Sequence, residues 1–162
     1  VFHGPVDIRV AAFDDPDARK LIDAVQQEYV RRYGDPDVTP VDPAEFAPPN
    51  GLFLLGYVDG APVASGGWRA HDGDEEPEFR PGDAELKRMY VVDAMRGRGL
   101  ARAMLAELER TAKDAGRTRL VLETGTRQPE AIALYRSSGY TDIPKFGVYR
   151  HTPESICLAK EL

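Results

Sequence analysis

A chain of 162 residues with 42% apolar and 30% charged side chains has the size and make-up of one folded domain, read here as residues 1–162, and excludes a disordered tail. Its 21 basic against 27 acidic residues leave a net charge of −6, which argues against nucleic acid as a partner for the surface as a whole. The single cysteine, Cys157, excludes an intrachain disulfide, and three scattered histidines (His3, His71, His151) speak against a metal site. No apolar run approaches the ~18 residues of a membrane span and no signal-peptide pattern is present, so the expected address is the cytoplasm with no membrane partner. The chain begins Val1-Phe2-His3-Gly4 with no methionine, and its natural start is expected to differ.

Residues 6–12 alternate as a first strand. Asp14, Asp15 and Pro16 then read as a helix entry, and Leu21, Ile22, Val25, Tyr29 and Val30 give one apolar face ending near Gly34. The proline-rich stretch 35–50 is a connector with at most a short helical turn near Glu45. Runs 52–58 and 62–69 flank Asp59-Gly60, a two-residue hairpin signal. The acidic stretch from His71 to Asp83, with Asp74, Glu75, Glu76 and Glu78, reads as a solvated loop, with attraction of a cationic acceptor as the alternative. A fourth strand over 84–92 leads into Arg96-Gly97-Arg98-Gly99 and a helix to about Ala115, capped by Gly116. Residues 119–123 form a short buried strand of the parallel type. Pro129 opens a helix closed by Gly139, and two strands follow over roughly 140–150 and 154–161. Cys157 sits in the last of them, in a core-like pattern. This order implies an α/β or α+β mixed sheet of about seven strands, mostly antiparallel, with one parallel crossover between strands four and five and about four flanking helices.

The most informative segment runs from Tyr90 to Leu105. A strand enters a turn of two glycines and three nearby arginines (Arg96, Arg98, Arg102), and a helix leaves at once. Glycine backbone, free helix N–H groups and local positive charge together suit a diphosphate. The dinucleotide fingerprint fails because Arg102 stands where its last small residue belongs, and no Gly-Lys-Ser/Thr makes a Walker loop. A plain reversing turn with solvated arginines is the alternative.

At these residues the chain resembles the GNAT family of acyl-CoA-dependent N-acetyltransferases. Arg96-x-x-Gly99-x-Ala101 matches that family's Q/R-x-x-G-x-G/A signature, and Ala131-Ile132-x-Leu134-Tyr135-x-x-x-Gly139-Tyr140 matches its second recurring segment. The resemblance implies acetyl-CoA as co-substrate, an amine acceptor, direct transfer in a ternary complex and no metal. It implies that Arg96, Gly97, Arg98, Gly99, Leu100, Ala101 and Arg102 hold the diphosphate. Pantetheine would then lie along Met89, Tyr90 and Val91. Many relatives carry asparagine where this chain has Gln128, beside Pro129, so the amide contact to coenzyme A there would come from glutamine. A homodimer through the C-terminal strands is suggested on the same ground. A non-catalytic CoA-binding module is the alternative to an enzyme, and a nucleotide binder is the second.

A lysine-like amine of pKa ~10.4 is neutral in only about one molecule in 2,500 at pH 7, a deficit of about 4.6 kcal/mol, so a base is needed. Glu85 is the first candidate: strand alternation puts it on the face of Met89, and burial would raise its carboxyl. Its other reading is a strand carboxylate paired with Lys87 or Arg69. Glu123, ending the next strand, is the second candidate. By resemblance the Met89 N–H would serve the thioester oxygen and Tyr135 would protonate the leaving thiolate; a core tyrosine is the alternative. Trp68 and Arg69, after Gly66-Gly67, are read as reaching the acceptor, with a buried tryptophan as the plainer possibility.

Overall fold

The computed structural model describes residues 4–72 and 76–162. His3, Asp74 and Glu75 lie outside the described residues. The element order is β1 (Asp7–Val10), α1 (Pro16–Tyr33), β2 (Gly51–Val58), β3 (Ala61–His71), β4 (Asp83–Val91), α2 (Leu100–Asp114), β5 (Arg119–Gly125), α3 (Pro129–Ser137), β6 (Thr141–Asp142) and β7 (Ser155–Glu161). Short 3-10 turns cover Pro43–Phe46 and Asp93–Met95. The seven strands form one sheet in the order β1-β2-β3-β4-β5-β7-β6, antiparallel throughout except for β4 against β5. The mixed sheet and its parallel pair are as expected. The flanking helices are three, and the fourth expected one is the turn Pro43–Phe46.

Local chemistry explains the boundaries. Asp15 caps α1 by accepting the Asp17 N–H at 2.9 Å, Pro16 opens its first turn, and Gly34 at φ +88° ends it by donating to Val30. Asp59 and Gly60, both at positive φ, make the β2–β3 hairpin turn. The expected strand over 140–150 is reduced to Thr141–Asp142. Pro144, Gly147 at φ +75° and Pro153 interrupt extended pairing, and Phe146 turns inward to bury against Val121, Cys157 and Ala159.

The sheet divides two apolar layers. On one face α2 contributes Met104, Leu105, Leu108 and Ala112 to a core with Leu54, Trp68, Leu86, Leu122 and Leu158. On the other, Ala18 and Leu21 of α1 pack with Phe46, Phe53 and Leu55. Gly66 is required where β3 passes under α2, because a Cβ there would stand 2.8 Å from Leu108 Cδ1 and 3.2 Å from Met89 Sδ. No described helix is long and apolar enough to cross a membrane.

At the start of the parallel pair, Arg119 grips Asp83 through two hydrogen bonds, Nε to Oδ1 at 2.8 Å and Nη2 to Oδ2 at 2.7 Å, with both side chains buried. Removing one partner strands the other charge in the interior. Arg119→Ala is expected to lower stability by about 3–5 kcal/mol in urea denaturation.

Candidate functional site

β4 and β5 share only three rungs, Asp83 with Arg119, Ala84 with Leu120 and Glu85 with Val121. Beyond them the strands part, and residues 86–91 face residues 122–125 across a cleft of about 740 Å³. The C-terminal part of α1, the Asp35–Asp37 segment, the turn before α2, α3 and Tyr149 complete its walls.

A bulge shapes the β4 side. Gly67 pairs with Lys87 and Ser65 with Tyr90, so Arg88 and Met89 together stand opposite Gly66, and Arg88 takes φ +58°. The extra residue reverses the alternation. Leu86 and Met89 both pack on the α2 side, whereas Glu85 turns toward the 3-10 turn that holds Glu45 and Phe46. The expectation that Glu85 shares a face with Met89 is thereby corrected.

At the far end of the cleft, Gly97 (φ +77°) and Gly99 (φ +80°) turn the chain into α2. No atom lies within 4 Å of where their Cβ would be, so glycine answers to conformation there and not to crowding. Gly99 is the N-cap, no side chain caps the helix, and the first-turn N–H groups are left for a ligand. Arg96 donates from Nε to Val91 O at 2.9 Å and from Nη2 to Glu28 at 2.8 Å, and pairs with Asp93. Arg102 donates to the hydroxyls of Ser137 and Ser138. Both line the cleft; Arg98 is exposed outside its lining.

The buried acids fall into two groups. Glu85 Oε1 accepts from Arg69 Nε at 2.9 Å and lies 2.9 Å from His71 Nε2. Burial alone would raise its pKa, but His71, Lys87 and Arg69 together hold it below the ordinary carboxylate value, opposite to the expected direction. Arg69 is itself buried, shared among Glu85, Glu45 and the Pro40 carbonyl. Glu123 lines the cleft and accepts from Ser155 at 2.6 Å, and here burial prevails, raised further by Asp37 and Glu85, so its pKa is raised. Asp37 receives Lys87 Nζ at 2.7 Å and Arg88 Nη1 at 2.8 Å on one oxygen and the Thr39 N–H on the other. Although burial opposes it, the Lys87 and Arg88 charges and the Lys87 and Thr39 hydrogen bonds hold the Asp37 carboxyl far below its usual range. Burial pushes the Tyr135 phenol up, and its hydroxyl makes no hydrogen bond among the described residues.

Of the residues singled out from the sequence, Met89, Tyr90, Val91, Arg96, Gly97, Gly99, Leu100, Ala101, Arg102, Glu123, Gln128 and Tyr135 line one cleft. Gln128 donates its amide to Tyr33 Oη at 3.2 Å. Glu85, Trp68 and Arg69 do not line it. Trp68 is buried on the α2 face with its indole N–H donating to Thr111 at 3.1 Å, so it cannot meet an acceptor. The acidic loop is also more than a solvated face: Glu76 pairs with Arg150 and the Glu78 carbonyl accepts from Arg119. Sequence reasoning gave no place in the cleft to Tyr29, read as helix face, to Lys87, read as a partner of Glu85, or to Asp37, Arg88 and Tyr149. Two adjacent cations in a strand otherwise buried were the available sign of the bulge; nothing local marked Asp37.

The chain matches the Acetyltransferase (GNAT) family over residues 18–140. It is 42% identical over 81 residues to an IAA acetyltransferase of Azospirillum brasilense, a match covering 50% of this chain and 53% of that protein, so the aligned part spans about half that relative's length. It is 29% identical over 165 residues to the uncharacterized N-acetyltransferase YjgM of Escherichia coli, covering 98% and 95% of the two. A solved structure from Klebsiella pneumoniae superposes with TM-score 0.76 at 29% identity over 97% of both chains. A GNAT family acetyltransferase from Elizabethkingia anophelis, solved with acetyl-CoA bound, superposes with TM-score 0.66 at 17% identity over 97% and 98% of the two chains, and so shares the fold.

The lowered Glu85 pKa has a consequence for stability. A carboxyl depressed in the folded state contributes stability above its unfolded pKa of ~4.3, and that contribution fades as pH falls through the folded value. Glu85→Gln is expected to cost about 3 kcal/mol at pH 7 and progressively less below pH ~4, read from denaturation midpoints across pH.

Proposed function

Because the chain belongs to the acetyltransferase (GNAT) family, we propose that it transfers an acetyl group from acetyl-CoA directly to a primary amine held in the β4–β5 cleft. The observation that carries this reading is the convergence, in one cleft, of a glycine-turned helix N-terminus at one end and a carboxyl of raised pKa between the parted strands. The site fits the co-substrate: both glycines sit at positive φ with open space beside them, and the first turn of α2 is uncapped toward the cleft. When bound, acetyl-CoA supplies an activated acetyl thioester.

The protein's own residues then have separable tasks. The N–H groups of residues 100–102 receive the diphosphate, with Arg102 adding charge from the cleft wall. Arg96, tied to Val91, Glu28 and Asp93, braces the turn that presents them. Glu123, not Glu85, is assigned as the base: burial raises its pKa, which makes it a stronger proton acceptor than an ordinary carboxylate. It takes the proton from the acceptor ammonium and frees the nitrogen lone pair. The Met89 N–H, in the bulge and outside the regular β3–β4 ladder, is assigned to the developing oxyanion charge. Tyr135, kept protonated by burial, donates a hydrogen bond to the departing thiolate. Its raised pKa, set against ~8.5 for a thiol, favours hydrogen bonding over complete proton transfer.

Thiol release from acetyl-CoA with a panel of amines tests the reading, and no release with any amine class would overturn it. Glu123→Gln is expected to lower kcat/KM by about 100-fold and to abolish the acidic limb of its pH profile, which in the parent falls above the ~4.3 of an ordinary glutamate. Tyr135→Phe is expected to lower kcat by only about 10-fold. Calorimetry should show both variants binding acetyl-CoA as the parent does.

A further inference from the structure

The acceptor end of the cleft holds a group with no assignment in this chemistry. Arg88 projects from the bulge into the cleft wall with its side chain 95% buried (5% exposed). Its Nη1 donates to Asp37, but its Nε is the one buried side-chain nitrogen or oxygen among the described residues that has no hydrogen-bond partner. Nε and Nη2 share the edge of the guanidinium that a carboxylate bridges with two parallel hydrogen bonds. An unmade hydrogen bond on a buried cation is costly and is not retained by chance in a well-packed wall.

Charge balance points the same way. Lys87 and Arg88 converge on a single oxygen of Asp37, so two buried cations share one carboxylate. Glu85, the other strong acid nearby, is engaged by Arg69 and His71. Glu123 faces Lys87 across the gap, each two residues past the last shared rung, and its proton affinity is raised. In direct contact, then, Lys87 and Arg88 have one carboxylate oxygen between them, and the Nε edge of Arg88 is left over.

Resting on the acetyl-transfer reading of this cleft, we propose that the acceptor is a free amino acid, its amine presented to Glu123 and its carboxylate bridging Nε and Nη2 of Arg88. Lys87 adds charge behind that carboxylate and, with Asp37, fixes the guanidinium in place. The anion enters with the substrate and fills the open edge of Arg88. An amine lacking the carboxylate leaves the Nε edge of the guanidinium without a partner, so discrimination against it is strong.

The test compares free L-amino acids with their C-terminal amides and with the matching decarboxylated amines, each assayed with acetyl-CoA for thiol release. The parent is expected to prefer the best acid over its amide by at least about 30-fold in kcat/KM. Arg88→Gln should bring that ratio to near one, and Arg88→Lys should restore part of it as a point charge without the two-pronged geometry. Acetyl-CoA binding by calorimetry reports whether the variants are folded. Equal use of acid and amide by the parent overturns the amino-acid assignment, and so does a ratio that survives Arg88→Gln; either leaves acetyl transfer standing. No thiol release from any amine overturns both.

Discussion

The brevity of the β4–β5 ladder is the constraint from which the rest follows. A parallel pair inside a sheet ordinarily continues until both strands end, because each unpaired backbone group out of water is a cost. Here pairing stops after three rungs although β4 runs on to Val91 and β5 to Gly125. The buried Arg119–Asp83 clamp secures the closed end, and the Arg88 bulge twists β4 away at the open end. β5 nonetheless remains paired with β7 over its whole length, so the sheet keeps its integrity while one seam opens. The edges that face the gap can be satisfied only by something that enters it.

Charge in the cleft is arranged before any ligand arrives. The overall charge is −6, yet the turn before α2 carries two arginines and the first turn of the helix a third. Glu28 of α1 reaches Arg96, and the same carboxylate lies within ion-pair distance of Arg32, so α1 is tied across the cleft to the turn. Arg102 is likewise anchored on the serines that end α3. Cations used in this way act as struts: their carboxylate and hydroxyl partners set the geometry in advance, and the donors left over belong to the backbone. This explains why both glycines of the turn sit in open space. What the site needs from them is a chain direction, with N–H groups outward, and a side chain would oppose the dihedrals and not the volume.

Features that rest on neighbours in sequence were legible before the fold was known. The Asp59-Gly60 hairpin, the Asp15 and Gly34 ends of α1, and the strand–glycine–helix turn each depend on dihedrals within a few residues. The matched Arg96–Ala101 segment was legible for the same reason. What escaped depends on distance. Asp37 meets Lys87 and Arg88 across 50 and 51 residues, from a proline-rich connector whose composition spoke only of a loop. The bulge escaped because Lys87, Arg88 and Met89 carry no glycine or proline to mark it, and a single inserted residue was enough to put Glu85 and Met89 on opposite faces. Beside two glycines, Trp68 reads from sequence either as reaching an acceptor or as buried core. Those glycines are small because Leu108 of α2 lies over one and Phe46 and Phe53 crowd the other, which is a packing relation among separate elements.

Glu85 and Glu123 show how far such relations decide chemistry. Both are glutamates near the middle of adjacent strands, both lose water on folding, and Lys87 lowers the pKa of each. Glu85 gains an arginine and a histidine in contact, and the depressed acid that results is a brace between β3 and β4. Among the described residues Glu123 gains the Ser155 hydroxyl and no cation in contact, while Asp37 and Glu85 add like charge, and its proton affinity rises. A strand carboxylate becomes a base or a structural anion according to the number of cations that reach it. In this sheet that number changes at the point where the two strands part, so the opening of the seam places the cleft and leaves within it the carboxyl whose proton affinity burial raises.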